Sequence, residues 1–334
     1  MPALAVAQAC RAEHRDWPVL MVGRAGGPEE RVVPAAGFAL ETVAIRGLDR
    51  DAVWKNLALP GLIPLAFRRG LEILERFKPD VVLGMGGYAM APAVWAARRR
   101  GVPYVLHEKD VRPGLATRMF ARQAAVVCTT LPGTEARLNG VRTVRTGVPL
   151  RSGFEQRKLA IPPRTLLVTG GSQGARRINQ AVWGALDGLL ERFQEVIHVA
   201  GRQGAAEVAR IAKPGYRGFT FTDRMSELYG AADLLVARAG VSTIGEASAV
   251  GLPMLLVPGT FGGRHQELNA RSVEAAGAGV TILDPELTPE RLLSTLDELI
   301  ARPERLRAMA QASRELGRPE AAQLVLRVVE EVAG

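Results

Sequence analysis

Short apolar runs and helix-period stretches alternate along this chain from its first residues to its last. Parallel strands need a crossover between them, most often a helix, so the alternation restricts the chain to parallel α/β sheets. The strand-like runs are Val19 to Gly23, Leu40 to Ile45, Val81 to Leu83, Pro103 to His107, Ala125 to Thr129 and Thr143 to Thr146. Helical patterns cover Pro2 to about Glu13, Pro64 to Phe77 and Pro92 to Arg100, and Pro2 suits a first turn. The pattern breaks at Pro149 to Pro163, where charged residues and three prolines make the best linker. A fresh series follows, with strands at Thr165 to Thr169, Val196 to Ala200, Gly218 to Phe221, Asp233 to Val236, Pro253 to Val257 and Gly279 to Ile282. One helix is expected from the glycine turn at Gly170 to Ala175 as far as about Leu190. Thr288-Pro289 reads as an N-cap with a first-turn proline, and Pro319 to Val332 as a last helix. The expected fold class is α/β: two Rossmann-like, doubly wound domains with a cleft between them, spanning 1–150 and 151–334.

A chain of 334 residues is long enough for two such domains, and 47% hydrophobic with 23% charged residues is the composition of an ordered soluble protein. Cys10 and Cys128 are far apart and form no CxxC pair, which suggests a reducing compartment. His14, His107, His198 and His265 show no zinc-type spacing, so neither a metal nor a cofactor is expected. The net charge of +9 rests on 38 Arg against 5 Lys. Such a balance suits phosphorylated substrates or anionic lipid. The four Trp, four Tyr and nine Phe are not interleaved with basic residues, which argues against nucleic acid. No signal peptide is visible before the Pro2 helix. The longest uncharged run, Val81 to Ala97, contains Gly84, Gly86, Gly87 and Pro92 and falls short of the ~20 apolar residues a membrane span needs.

The stretch from Arg238 to Asn269 carries the most chemistry. A strand ends in Arg238-Ala239-Gly240, and a helix starts at Val241-Ser242-Thr243-Ile244-Gly245 with Glu246 in its first turns. A second strand ends in a Gly-rich loop bearing Arg264, His265 and Gln266. Ligands of open α/β sheets bind at the carboxyl ends of strands, and a helix N-terminus suits a phosphate. Glu246 can accept both hydroxyls of a ribose, and Gln266 can both donate to and accept from sugar hydroxyls. A nucleotide-sugar site and an ordinary βαβ unit with a polar helix start both fit these residues.

An ordered set of motifs narrows the choice. Gly84-Met-Gly-Gly-Tyr88, Leu106-His107-Glu108, Thr146-Gly147 with Pro149 and Arg151, Gly170-Gly-Ser-Gln-Gly-Ala175, Arg238-Ala-Gly240 through Glu246, and His265-Gln266 with Asn269 occur in that order. With them nearly the whole chain resembles the MurG family, the UDP-N-acetylglucosamine transferases that complete lipid II for bacterial peptidoglycan. The resemblance implies a glycosyltransferase-B fold with acceptor and membrane contacts in the first domain and the donor nucleotide in the second. It implies that Ser172 and Arg151 meet the donor diphosphate and that the backbone at Thr222 pairs with uracil. Val241, Ser242, Thr243, Ile244 and Gly245 would form the turn under phosphate and ribose, Glu246 would take the ribose hydroxyls, and Gln266 would read the GlcNAc hydroxyls. His265 sits beside this set, either helping or simply lying on a surface loop. The implied partners are UDP-GlcNAc, undecaprenyl-linked lipid I and anionic membrane lipids, at the cytoplasmic face of the bacterial membrane. The implied reaction is inverting displacement by the muramyl C4 hydroxyl, with no obligatory metal.

The chain departs from the family pattern at three places. The family's His-Glu-Gln-Asn stands here as His107-Glu108-Lys109-Asp110, so Asp110 replaces an asparagine that contacts the donor sugar. Its Thr-Gly-Asn-Pro stands as Thr146-Gly147-Val148-Pro149. Met1 directly precedes the Pro2-Ala3-Leu4-Ala5 helix, where the family has a strand and a Gly-rich loop ending in histidine. That strand would lie between the Val19 and Val81 strands, so their facing edges are expected to lack ladder partners, with a loosened first domain and low turnover. The family's general base is placed in that loop, so no catalytic residue is assigned, and Glu108, Asp110 and His265 are the remaining candidates. A UDP-sugar epimerase or glycolipid synthase of the same fold, or a truncated donor-binding chain, are the rival readings. Leu57 to Phe67, uncharged between Lys55 and Arg68-Arg69, is either a membrane-facing patch or part of the core.

Overall fold

In the computed structural model, which describes residues 2–45, 59–171, 173–260 and 264–334, the alternation resolves into two units. Unit 1 begins with α1 (Pro2–Glu13), β1 (Leu20–Arg24), α2 (Glu29–Ala35), β2 (Ala39–Val43), α3 (Leu59–Phe77) and β3 (Val82–Gly84). It continues with α4 (Ala91–Arg100), β4 (Tyr104–Glu108), α5 (Leu115–Phe120), β5 (Val126–Thr129) and β6 (Thr143–Arg145). β3, β4, β5 and β6 form a parallel sheet in that order. All five residues of β4 are buried, as a parallel strand covered on both faces requires. Alternate residues serve the two faces: Val105 packs with Val126, Cys128 and Val6 of α1, while Tyr104 and Leu106 pack with Leu74 of α3 and Val94 of α4.

β1 and β2 form a separate parallel pair, Leu20 opposite Ala39 through Arg24 opposite Val43. The same helices cover it. Leu4 and Ala7 of α1 pack with Met21 on one face, and Ala66 and Ile73 of α3 pack with Leu20 and Val22 on the other. The two sheets thus share one layer, yet among the described residues β1 pairs only with β2 and β3 only with β4. The seam falls where the sequence reading expects two facing edges without ladder partners.

Unit 2, Leu150–Pro319, opens on a strand-free linker. The buried Asp233 carboxylate pins that linker, accepting the N–H groups of Ala160, Arg164 and Thr165 and pairing with Arg157 at 2.8 Å. The elements are β7 (Thr165–Thr169), α6 (Arg176–Gly184), α7 (Leu186–Arg192), β8 (Glu195–Val199), α8 (Ala205–Arg210), β9 (Tyr216–Phe219), α9 (Met225–Ala231) and β10 (Leu234–Ala237). Then follow α10 (Val241–Val250), β11 (Met254–Leu256), α11 (His265–Ala275), β12 (Gly279–Thr281), α12 (Pro289–Ile300) and α13 (Pro303–Leu316). The six strands are parallel in the order β12-β11-β10-β7-β8-β9. Numbered from β7, that is the 3-2-1-4-5-6 order of a dinucleotide fold, whose strand order reverses between β7 and β10. Thr288 caps α12, its hydroxyl accepting the Arg291 N–H at 3.1 Å.

Three elements differ from their expected spans. The helix expected to reach Leu190 breaks after Gly184, whose Cα lies against Pro289 of α12. α3 starts at Leu59, with Pro64 inside it. β9 starts at Tyr216, because pairing with β8 and burial of the Tyr216 ring set its register. A fourth difference changes the domain boundary. The last helix, α14 (Ala321–Ala333), belongs to unit 1, Glu320–Gly334, and not to a domain spanning 151–334. Val325 and Val328 bury themselves against Val6, Val105, Val126 and Cys128. His14 and Glu330 tie α1 to α14 at 2.5 Å, and Arg142 and Glu331 pair at 2.6 Å. Val325→Ala is therefore expected to destabilise unit 1 by about 1–2 kcal/mol, the cost of a small core cavity. Hydrogen exchange should show faster opening of β4 and β5 with β7 and β10 unchanged. The reverse pattern would place α14 in the other unit.

Candidate functional site

β7 and β10 are adjacent, Leu166 opposite Leu234 through Thr169 opposite Ala237, and their outgoing loops lead to α6 and α10. The loop after β7 is the glycine-rich turn 170–175. Thr169 Oγ1 accepts the Gly171 N–H at 3.2 Å, and Gly174 N–H donates to the Gly171 carbonyl at 2.9 Å. Gly174 has a φ of +81°, and a Cβ there would run into the Ala200 carbonyl oxygen at the end of β8. Gly201, at φ +76°, meets Gly174 from the other side. Only bare backbone fits this contact. Ala175 is the N-cap of α6 and offers no side-chain acceptor, so the first N–H groups of α6 are left for a ligand.

A cavity of about 690 Å³ opens at this point, walled by the turn, Gln203, Arg238, Gly259, Thr260, Gln266 and Asp284. Arg238 donates to the Val257 carbonyl at 3.1 Å and pairs with Asp284, whose other carboxylate oxygen lies 3.3 Å from Arg177. Arg176, Arg177 and Arg238 against the single Asp284 leave the walls cationic. Gln266 Oε1 accepts the Gly259 N–H at 2.8 Å, so the donor end of the amide is the part available to a ligand.

Glu246 and Arg151 are not among these walls. They form a second cluster with Tyr229 and Thr243. Burial pushes the Glu246 carboxyl up to about 6, opposed by the Tyr229 hydroxyl and the Arg151 charge. Tyr229 is fully buried, edge-on to Phe154 at 5.7 Å. Burial, then the Glu246 charge, holds its hydroxyl well above the usual tyrosine range. The hydroxyl lies beside the carboxylate and Thr243 without an in-line hydrogen bond to either.

The other sequence-derived positions fall as follows. Val241 and Ile244 are buried under the first turns of α10, Ser242 is exposed, and Thr243 and Gly245 are half-buried. Thr222 follows the edge strand β9, its Oγ1 accepting the Arg224 N–H at 3.0 Å, and the neighbouring Phe221 is 64% exposed. Ser172 lies outside the described residues. Asp110 belongs to unit 1, where its N–H donates to Glu108 Oε1 at 3.1 Å. Glu108 Oε2 accepts the Gly114 N–H at 2.9 Å, and the residue is 3% exposed. Its carboxylate therefore shapes the loop after β4. His107 is buried against the Gly147 carbonyl at 2.9 Å, and burial pushes it down to about 4. His265 opens α11, and its Nδ1 is buried without a hydrogen-bond partner. Sequence reasoning missed the Arg238–Asp284 pair, Gln203 and Tyr229. Arg238 stood in the quoted motif, but Asp284 lies 46 residues on, and Tyr229 reads as an ordinary core residue of α9.

The Glycosyltransferase family 28 N-terminal domain matches residues 1–129, and the family 28 C-terminal domain matches 165–325. A relative from Nocardioides sp. is 39% identical over 99% of this chain and 94% of its own length. One from Streptomyces avermitilis is 37% identical over 99% and 94%. Both are named UDP-N-acetylglucosamine–N-acetylmuramyl-(pentapeptide) pyrophosphoryl-undecaprenol N-acetylglucosamine transferase. The crystal structure of Acinetobacter baumannii MurG superposes with a TM-score of 0.79 at 27% identity, covering 99% of this chain and 95% of that one. Strand order, glycine turn and full-length similarity agree: this chain belongs to the MurG family of UDP-N-acetylglucosamine transferases, with the two domains of glycosyltransferase family 28.

Proposed function

We propose that this chain transfers N-acetylglucosamine from UDP-N-acetylglucosamine to undecaprenyl-linked lipid I, giving lipid II for peptidoglycan. The observation that carries this reading is the full-length similarity to relatives named for that reaction. The geometry of unit 2 supports the donor half. A diphosphate at the N-terminus of α6 would meet free N–H groups and the cationic wall of Arg176, Arg177 and Arg238. As UDP leaves, the same groups would stabilise its growing charge, together with Ser172 and Arg151. Glu246 would accept the ribose hydroxyls, Thr222 would present its backbone to uracil, and Gln266 would donate to the sugar. The α10 turn from Val241 to Gly245 would underlie phosphate and ribose. The muramyl C4 hydroxyl would attack the anomeric carbon with inversion. With purified chain, labelled UDP-GlcNAc and a lipid I analogue, labelled lipid II is the expected product. A 2-epimer of the donor instead would favour the epimerase reading, and release of neither product would overturn catalysis of this reaction.

The donor role of Glu246 has a pH signature. Its ionised form is the better acceptor for two hydroxyls, so UDP affinity should fall as pH drops from 7.5 to 5, through the value of about 6. The native carboxyl holds its proton above the ordinary 4.5 of the unfolded chain. Stability is therefore lost as pH rises from about 4.5 to about 6, and the full cost, up to about 2 kcal/mol, applies at pH 7. Glu246→Gln should accordingly raise the denaturation midpoint at pH 7 while weakening UDP by about tenfold, the worth of a charge-assisted hydrogen bond. Calorimetry across that pH range checks both. Unchanged UDP affinity in Glu246→Gln would remove the residue from the nucleotide site.

Among the described residues no helix is long and apolar enough to cross a membrane. We infer peripheral attachment through unit 1 to anionic lipid, at the cytoplasmic face. Ile63 and Leu65 of α3 are exposed, as are Leu115 and Met119 one turn apart on α5, with Arg68 and Arg118 beside them. α4 packs between α3 and α5. Lys55 and residues 57–58 of the stretch singled out in the sequence lie outside the described residues. Apolar side chains rimmed by arginine fit an anionic lipid interface. Leu65→Glu and Met119→Glu should abolish salt-sensitive flotation with phosphatidylglycerol vesicles without lowering the melting temperature. Flotation equal to wild type in both variants would refute the attachment face.

A further inference from the structure

Beneath the glycine-rich turn, unit 2 carries a row of polar groups that the proposed reaction does not use. The Trp183 indole Nε1 on α6 lies 3.1 Å from the Tyr216 hydroxyl on β9. That hydroxyl lies 3.2 Å from His198 Nδ1 on β8. His198 Nε2 lies 3.1 Å from Asn179 Oδ1, and Asn179 Nδ2 donates to the Ala200 carbonyl at 2.8 Å. Asn179, His198 and Tyr216 are buried and Trp183 partly so.

The two ends fix the direction of every bond between them. An indole N–H can only donate and a peptide carbonyl can only accept. Ala200 therefore turns the Asn179 amide nitrogen toward itself and leaves Oδ1 to His198. His198 must carry its proton on Nε2. Trp183 occupies an acceptor site on the Tyr216 oxygen and leaves the phenolic proton for His198 Nδ1. Burial pushes His198 down to about 4, in keeping with a neutral ring that donates at one nitrogen and accepts at the other. Each bond in the row thus joins one donor to one acceptor, and the bonds run from Trp183 to Ala200 without a conflict.

The row ends where the glycine contact begins. Ala200 and Gly201 form the backbone against which Gly174 rests, and a Cβ at Gly204 would collide with Ala200 and crowd Asn179 Nδ2. An apolar core of the same volume would avoid the desolvation of these groups, but it would not fix the position of a carbonyl. We infer that Trp183, Tyr216, His198 and Asn179 form a positioning relay that holds the Ala200–Gly201 backbone, and through it the glycine-rich turn, in the shape that receives the donor diphosphate. This inference rests on the reading of that turn as the donor site. None of the four residues needs to touch the substrate.

The test uses the full chain. Asn179→Asp keeps the size of the side chain but sets an oxygen against the Ala200 carbonyl. His198→Phe removes both ring bonds, while His198→Gln can keep a donor near the Nε2 position. Asn179→Asp and His198→Phe should each raise the KM for UDP-GlcNAc and the Kd for UDP by about tenfold, the loss expected when a buried polar group is left unpaired. KM for the lipid I analogue and kcat should stay within about twofold, and His198→Gln should recover most of the affinity. The amide of Gly174, bonded to Gly171 in the wild type, should exchange faster while those of β10 and β11 do not change. Wild-type exchange at Gly174 in Asn179→Asp would overturn the relay, as would equal acceleration at β10 and β11. Glu246→Ala, run alongside, separates the two ideas. If it weakens UDP and Asn179→Asp does not, the relay fails and the donor-site reading stands. If neither variant weakens UDP although Gly174 exchanges faster, the relay holds the turn but the assignment of the turn to the donor falls.

Discussion

Gly174 and Gly201 touch through backbone alone, and the candidate site is organised around that contact. A side chain at either position would separate the turn after β7 from the end of β8. That separation would swing the N-terminus of α6 away from the sheet and open the floor of the cavity. Both residues sit at positive φ, so glycine is required twice, once for backbone conformation and once for space. The close approach also explains the polar row below it. A backbone-to-backbone contact has no side chains to interlock, so the partner strand end must be held by other means. The hydrogen bond from Asn179 to Ala200 supplies the hold from inside the core.

At the opposite end of the sheet, a single carboxylate has a comparable task. Asp233 accepts three backbone N–H groups from the linker and β7 and pairs with Arg157. Its burial would cost several kcal/mol if unpaired, and the four partners offset that cost. The linker is thereby fixed where it enters β7, and Arg151 stands near its start. The candidate site lies at the carbonyl ends of the strands, and the clamp at their amino ends.

The fold was largely legible because strand–helix alternation is a local signal. Glycine-ended apolar runs mark β7, β10 and β11 within a residue or two, and the proline-rich break marks the linker. The last helix was not legible. Its apolar face says that it must be buried but not against which sheet, and it buries against α1 and β4. For the candidate site, the glycine turn and Gln266, which line the cavity, stood in the quoted motifs. Tyr229 and Asp284 did not, because their significance comes from contacts made across the sheet. Sequence shows the Glu108 carboxylate but not the two N–H groups that it accepts, which shape the loop after β4.

Glu246 and Asp284 show how two carboxylates of unit 2 come to sit in different surroundings. Asp284 is buried between Arg238 and Arg177, so its charge is matched within the protein and it acts as a strut for the cavity wall. Glu246 is half-buried, and its neighbours are a tyrosine hydroxyl and an exposed arginine. They offset only part of its desolvation, and its carboxyl is held near 6. A charge left under-matched in the free protein gains most when a ligand supplies the missing donors. Two vicinal ribose hydroxyls are such donors. The same arrangement that weakens the fold would, on the proposed donor reading, strengthen its response to a nucleoside, so that stability and recognition would oppose each other at this one residue.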